Sequence, residues 1–270
     1  MIINEKIIQE LDINKVTKGT REWSDYSVNC INGCSNNCRY CYARKMAIRF
    51  GRKKEDNWEI MEIRTHNVEK KYRKRKGRFM FPTAHDITDD PKILDACIKV
   101  IRNVISPGNF ILITTKPRLS VIKTICREFK ELRDLIQFRF TITTNNSSLI
   151  KFWEPGAPSF NERLLSLKDA FEKGFKTSVS IEPFLSNPIS FIDKLLPYTT
   201  ESIWIGPMNY IKRNGINDAE IKFYKEIRKL TTPENLIKIY NALRKYNLVR
   251  FKDSFLIKLK KARYFSKTFF

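Results

Sequence analysis

Three cysteines fall within eight residues, Cys34, Cys38 and Cys41, spaced C-x3-C-x2-C and followed by the basic run "YARKMAIRFGR". The chain has six cysteines, so half of them sit in this one stretch. Thiolates this close in a loop can cap one face of a metal assembly and leave one coordination position open. An open position separates a reactive centre from a closed structural one. Soft sulfur donors favour zinc or iron–sulfur. Cys30, in the strand entering the loop, is a fourth candidate ligand and would complete a four-cysteine zinc site. Such a site would staple only its own loop, whereas zinc sites usually join two ligand pairs well apart in sequence. Cys97 and Cys126 fall on apolar helix faces and are expected in the core.

The elements that must position these thiols are legible from periodicity. Short β-like runs cover Tyr26–Ile31, Arg78–Phe81, Phe110–Thr114, Gln137–Thr143, Thr177–Ile181 and Ser202–Ile205. Helical patterns lie between them. One opens at Asp90 as N-cap with Pro91 at the first helical position, and carries Ile93, Cys97, Ile101 and Ile105 on one face. A second follows a Ser120 cap and carries Ile122, Cys126 and Phe129. A third ends at Gly174 as C′ glycine. A fourth, "TTPENLIKIYNALRKY", opens with a Thr cap and a Pro. Six β runs each followed by helix-compatible sequence predict an α/β chain with a parallel sheet and outer helices, in an incomplete barrel, since a full eight-unit barrel takes ~250 residues by itself.

No Pro/Gly/Ser-rich linker divides the 270 residues, so we expect a single domain over 1–270. Two segments break the rhythm: a basic insert at 52–78 containing "KKYRKRKGR", and a basic–aromatic tail at 256–270. His66, in the insert, is expected at the surface. Net charge is +22, the electrostatic footprint of a chain that contacts polyanions, with nucleic acid as the expected partner, DNA or RNA. Lys-, Ile- and Asn-rich composition, as in proteins of AT-rich genomes, is the competing source of that charge. Charged residues are mixed into "MIINEKIIQELDINK" and no run approaches ~18 apolar residues, so we expect a cytoplasmic chain with no membrane span.

The motif C-x3-C-x-aromatic-C, as Cys34, Cys38, Tyr40 and Cys41, follows the first β run of an α/β chain, and in both respects resembles the radical S-adenosylmethionine (SAM) superfamily. The blocks "FMFPTAHDIT", "EPGAPSFNERLLSLKDAFEKGFKTSVSIEPFL" and "IWIGPMN" resemble the branch of spore photoproduct lyase-like proteins and their phage-encoded relatives. The resemblance implies a partial (β/α)6 TIM-like barrel. Its cofactors would be one [4Fe-4S] cluster on Cys34, Cys38 and Cys41 and S-adenosylmethionine, chelated at the iron no cysteine reaches. It implies reductive cleavage of SAM to a 5′-deoxyadenosyl radical that takes a hydrogen atom from substrate, here for repair or modification of a nucleic acid. An electron donor such as ferredoxin or flavodoxin would be needed. The alternative is a non-enzymatic four-cysteine zinc module that binds nucleic acid.

The same resemblance nominates SAM contacts at the C-terminal ends of the strands. Tyr40 would lie near the adenine. Where the superfamily often has a Gly-Gly-Glu-like stretch, this chain has Pro82, Thr83, Ala84, His85 and Asp86, so Thr83, His85 or Asp86 would substitute. Thr115 and Lys116 end the third run, and Thr143, Thr144, Asn145 and Asn146 the fourth. Ser180 and Glu182 share a parity at the end of the fifth. Gly206 and Met208, with Asn209, end the sixth.

Overall fold

In the strand Ile136–Thr141, Phe138 and Phe140 point one way and Gln137 and Arg139 the other, as strand periodicity requires. That division runs through the whole sheet. The computed structural model describes residues 19–267. The N-terminal stretch "MIINEKIIQELDINK" and residues 268–270 of the expected tail lie outside the described residues.

The strands in chain order are β1 (Tyr26–Ser27), β2 (Ile31–Asn32), β3 (Glu62–Ile63), β4 (Arg78–Phe81), β5 (Phe110–Thr115), β6 (Ile136–Thr141), β7 (Lys176–Ile181), β8 (Ser202–Ile205) and β9 (Val249–Phe251). Seven of them form one sheet, ordered β1-β4-β5-β6-β7-β8-β9, with every neighbouring pair parallel. β2 and β3 form a separate antiparallel pair. The helices are α1 (Tyr42–Arg49), α2 (Thr65–Glu69), α3 (Pro91–Ile105), α4 (Leu119–Glu128), α5 (Ser147–Trp153), α6 (Phe160–Glu172), α7 (Asp218–Leu230), α8 (Pro233–Leu243) and α9 (Asp253–Lys267).

One face of the sheet carries Phe79, Phe81, Ile111, Ile113, Phe138, Phe140, Val179, Ile181, Ile203 and Ile205. It packs on Val100, Ile101 and Val104 of α3, Ile122 and Ile125 of α4, Leu167 of α6 and Ile239 of α8. Each fully buried Phe or Ile contributes about 1.5–3 kcal/mol. The opposite, concave face is polar at its centre, with Thr114, Arg139 and Ser178 in register across β5, β6 and β7. A polar wall inside an apolar shell is what a barrel site needs.

Local signals explain most helix ends. Asp90 caps α3, its carboxylate accepting from the N–H groups of Lys92 and Ile93 at 2.9 and 3.0 Å. Gly174 takes φ +76° just past α6. The expected Ser120 cap is not used: α4 starts two residues earlier, with Arg118 at the N-cap, and Leu119 N–H donates to Glu162 Oε1 of α6 at 3.1 Å, so a neighbouring helix supplies the cap. The first β run splits because Asn29 leaves the sheet. Its side-chain oxygen accepts from the N–H groups of Thr83 and Ala84 at 2.8 and 2.7 Å.

The seventh parallel strand, β9, extends the expected six. Within 52–78, Trp58 and Val68 are buried, and His66 is exposed. The run Lys70–Arg78 follows the base of β4 and β5, where Arg75 N–H donates to Asn109 Oδ1 at 2.8 Å. In α9, Phe255 and Leu259 are buried. Among the described residues no helix is long and apolar enough to cross a membrane.

Candidate active site

The Cys34–Cys41 loop leaves β2 through Gly33, whose φ is +93°. A Cβ at Gly33 would stand 2.2 Å from the Ile60 carbonyl oxygen, so this backbone approach requires glycine. Cys34 N–H donates to the Trp58 carbonyl at 2.9 Å. Trp58, Ala43 and Ala47 form the apolar packing around Cys34 and Cys41. Asn37 turns the loop at φ +43°, and its N–H donates to the Cys34 carbonyl. Cys41 is the N-cap of α1, its sulfur accepting from Arg44 N–H at 3.4 Å.

A second segment clasps the loop from the other side. Gly156 lies so close that a Cβ would fall 2.0 Å from the Ser35 carbonyl oxygen. Gly156 N–H donates to the Asn36 carbonyl, and Arg118 Nη2 donates to both Gly156 O and Asn36 Oδ1. Asn36 Nδ2 donates to Asp86 Oδ2 at 2.6 Å. Asp86 also accepts from the hydroxyl of Thr115 and from Lys116 N–H, so one buried carboxylate joins the loop to the ends of β4 and β5.

Glu154 is the charged centre of the clasp. It is fully buried and pairs with Arg163 at 2.5 Å, also fully buried. It accepts from the Tyr40 hydroxyl and from Thr143 Oγ1, and Lys116 Nζ stands 3.8 Å away. Burial alone would raise its carboxyl. Arg163 and Lys116 outweigh that and hold it below the usual range. Lys116 lies over the Tyr40 ring at 5.6 Å. Burial works against its ammonium, but the Cys38 sulfur and then the Glu154 carboxylate hold it charged. The thiols go the other way. Burial, followed by the Asp86 charge, pushes Cys34 up to about 12, and burial also raises Cys38 and Cys41. Lys116 acts on all three in the opposite sense, and the Arg44 side chain adds to it at Cys41, so both favour the thiolate form.

Tyr40, Thr143 and Lys116 therefore meet at Glu154, and Thr115 joins Asp86. Other nominated residues take different positions. Thr83 accepts from Asn29 Nδ2 at 2.6 Å. His85 is buried against Cys30, whose N–H donates to its Nε2 at 3.2 Å. Cys30 Sγ lies 3.9 Å from that nitrogen, and hydrogen bonding toward the free Cys97 thiol, then toward His85, lowers it to about 6 against the effect of burial. Cys30 is thus turned into the main core, away from Cys34, Cys38 and Cys41. Cys126 is also in the core. Asn145 is exposed ahead of α5, which Asn146 caps. Met208 packs with Leu149, Trp153 and Leu185.

Ser180 lies on the concave face, in register with Thr141 and Trp204. Glu182 turns to Lys252 at 3.7 Å, and a Cβ on Gly206 would meet Glu182 Cγ at 2.8 Å. Below them, Lys252 pairs with Glu22 at 2.9 Å and lies over the Trp23 ring at 4.1 Å. Arg139 lies over the same ring at 4.5 Å. This stack floors the barrel. Glu154, Arg163, Asn36, Gly156 and Trp58 were not nominated from the sequence. The block "EPGAPSF" contains two of them, Glu154 and Gly156, but nothing in its spacing points to the cysteines.

A parallel barrel with three clustered cysteines beyond its first strand defines a recognisable class. The family model described as the Radical SAM superfamily matches residues 28–186, more than half of the chain, and the chain belongs to that superfamily. The fold is similar to that of two variants of spore photoproduct lyase, with TM-scores of 0.52 and 0.51 at 13% and 12% identity. Those alignments cover 88% and 89% of this chain and 78% and 79% of the other. In sequence the chain is similar to the uncharacterized protein MJ0683 of Methanocaldococcus jannaschii, 25% identical over 64% of this chain and 67% of that one. It is also similar to the uncharacterized protein ORF301 of Acidianus two-tailed virus, 26% identical over 60% of this chain. That match spans 57% of the viral protein, little more than half its length.

Proposed function

We propose that this chain is a radical SAM enzyme that holds one [4Fe-4S] cluster on Cys34, Cys38 and Cys41, cleaves S-adenosylmethionine reductively, and modifies or repairs a nucleic acid. The observation that carries the reading is the set of three loop thiols, Cys34 and Cys38 buried and Cys41 half-buried, on a loop whose Tyr40 is tied to the same Glu154 that Lys116 pairs with. Among the described residues no three His, Cys, Asp or Glu side chains converge to hold one metal ion. A cubane makes no such demand, because each thiolate binds a different iron. Three cysteine thiolates on one loop, one to each of three irons, are the donor set such a cluster takes. The zinc reading would need Cys30, which is turned toward His85 and Cys97.

When bound, the cluster supplies one electron to S-adenosylmethionine, whose cleavage gives a hydrogen-abstracting 5′-deoxyadenosyl radical. The chain's own residues do the rest. Lys116 offsets the charge of the three thiolates. Arg44 N–H bonds the Cys41 sulfur, and such bonds tune cluster potential. Trp58 shields Cys34 from water. Glu154 fixes Tyr40 through its hydroxyl, so the ring stays under Lys116. Ser180 and Glu182 offer polar groups to the methionine and ribose. The charge of +22 supports a polyanionic substrate. An acidic ferredoxin or flavodoxin is the matching electron donor.

Anaerobic reconstitution tests this. The expected result is about four irons per chain and release of 5′-deoxyadenosine under dithionite, both lost in the triple Cys34, Cys38, Cys41→Ala protein. Release of 5′-deoxyadenosine by that triple variant would refute the assignment.

A further inference from the structure

The sheet is open between its edge strands β1 and β9: among the described residues no ladder joins them. The lower part of this seam is closed. The turn Gly19–Glu22 reaches across it, Lys252 Nζ donates to Gly19 O, and Trp23 packs edge-on against Trp204 at 5.9 Å. The upper rim is bridged differently. Tyr42 is the first residue of α1, directly after Cys41. Tyr210 follows the end of β8. Their rings stack at 6.2 Å with an interplanar angle of 20°. Both are large aromatic side chains left open to solvent, 57% and 59% exposed.

Cations frame the pair. Lys45 Nζ lies 5.4 Å over the Tyr210 ring. Arg49 and Arg52 flank the ring of Phe50, itself 61% exposed, at 5.9 Å each. Lys212 and Arg213 follow Tyr210 and are exposed. Among the described residues none of Lys45, Arg49, Arg52, Lys212 or Arg213 is in an ion pair with a carboxylate. Cations elsewhere on the surface include paired ones, Lys99, Arg102, Lys168 and Lys173 each having an acidic partner; what sets the rim apart is two stacked exposed rings among unpaired cations.

We infer that Tyr42 and Tyr210 form a stacking platform for a base of single-stranded or locally unpaired nucleic acid, with Lys45, Arg49, Arg52 and Arg213 receiving the adjoining phosphates. Exposed parallel rings with uncompensated cations are the two components of sequence-tolerant single-strand binding, the rings taking base faces and the cations the backbone. The platform lies at the rim beside the cysteine loop, so a strand held there is presented to the barrel mouth. The inference rests on the nucleic-acid reading above and deepens it: it names unpaired strand, rather than duplex, as the form recognised.

The test is fluorescence anisotropy with a short labelled oligo(dT), on the full chain without S-adenosylmethionine. Tyr210→Ala is expected to weaken binding roughly 5- to 150-fold, the equivalent of ~1–3 kcal/mol per stacked base. Tyr210→Trp is expected to keep it. Lys45→Gln and Arg213→Gln should each lower the slope of log K against log salt by about 0.7, the single-strand value per phosphate contact. Lys123→Gln, on α4 behind the middle of the sheet, should leave both unchanged. Binding by Tyr210→Ala within twofold of the unaltered protein would overturn the proposal. So would equal affinity for a duplex of the same length, or variants that lose an acidic flavodoxin while keeping oligo(dT), which would make the patch a protein-docking surface. Because the readout is binding and not 5′-deoxyadenosine, this inference and the cluster assignment can fail separately.

Discussion

Two buried ionic centres sit a few layers apart in this molecule and are built on opposite plans. Around Glu154, every charged group has a direct partner: Arg163 at 2.5 Å, the Tyr40 hydroxyl, Thr143 and Lys116. At the barrel floor, Lys252 keeps Glu22 at 2.9 Å, but Arg139 lies on the faces of Trp23 and Trp204 with Ser178 Oγ as its partner at 3.1 Å, and its Nη1 has no hydrogen-bond partner. Desolvation, with Arg78 nearby, brings the Arg139 guanidinium down to about 9, and burial raises the carboxyls of Glu182 and Glu22. The upper centre fixes geometry, because its partners come from the cysteine loop, the end of α5 and α6. Around Arg139 the floor chiefly fills volume, since a cation on indole rings packs well without strict direction.

The sharpest way to break this contrast is Glu154→Ala. It leaves Arg163 and Lys116 buried without their anion, and we expect a loss of about 3–5 kcal/mol in urea unfolding, as for other buried pairs cut on one side. Gly156→Ala comes next. Its Cβ must displace the Ser35 backbone, so we expect about 1–3 kcal/mol of destabilisation, together with reduced iron retention after reconstitution. If iron content stays at the unaltered level, the clasp does not control the loop.

The pH dependence should differ in sign between the centres. Glu182 is raised by burial, so the folded state keeps its proton where the unfolded state has lost it. Its contribution is fully present below about pH 4.3 and is lost as pH rises through the higher folded value. Glu154 is lowered, so its contribution is present above the ordinary carboxylate range and is lost as pH falls through the folded value. Urea midpoints of Glu182→Gln should show a flatter decline with rising pH than the unaltered chain. The smallest effect is expected for Arg139→Met. An apolar side chain of similar length replaces a poorly paired cation, and stability should stay within about 1 kcal/mol, or improve. A loss as large as that of Glu154→Ala would show the floor to be as directional as the clasp.

How much of this was legible depended on whether the determinants are local. β4 and β8 fall where alternation put them, and Asp90 and Gly174 end their helices as their side chains and backbone freedom dictate. The three cysteines announce themselves by spacing. The clasp does not, because it is non-local: Glu154 meets Tyr40 across more than a hundred residues, and no period links them. Asn29 broke the first β run through a tertiary bond to the end of β4, which no strand propensity encodes. β9 is three residues with an arginine in the middle, too short to read. The segment 256–270 read as a basic–aromatic tail, yet its described part continues a helix from Asp253, in which Phe255 and Leu259, four apart, are buried in the core.

The four tryptophans are distributed so that each reports a different part of this design. Trp58 leans on Cys34, Trp153 is buried beside the clasp, and Trp23 and Trp204 flank the floor. Intrinsic emission therefore serves as a built-in optical gauge. Metal uptake at the thiols should dim the Trp58 share first, while the pair below responds to what happens deep in the barrel.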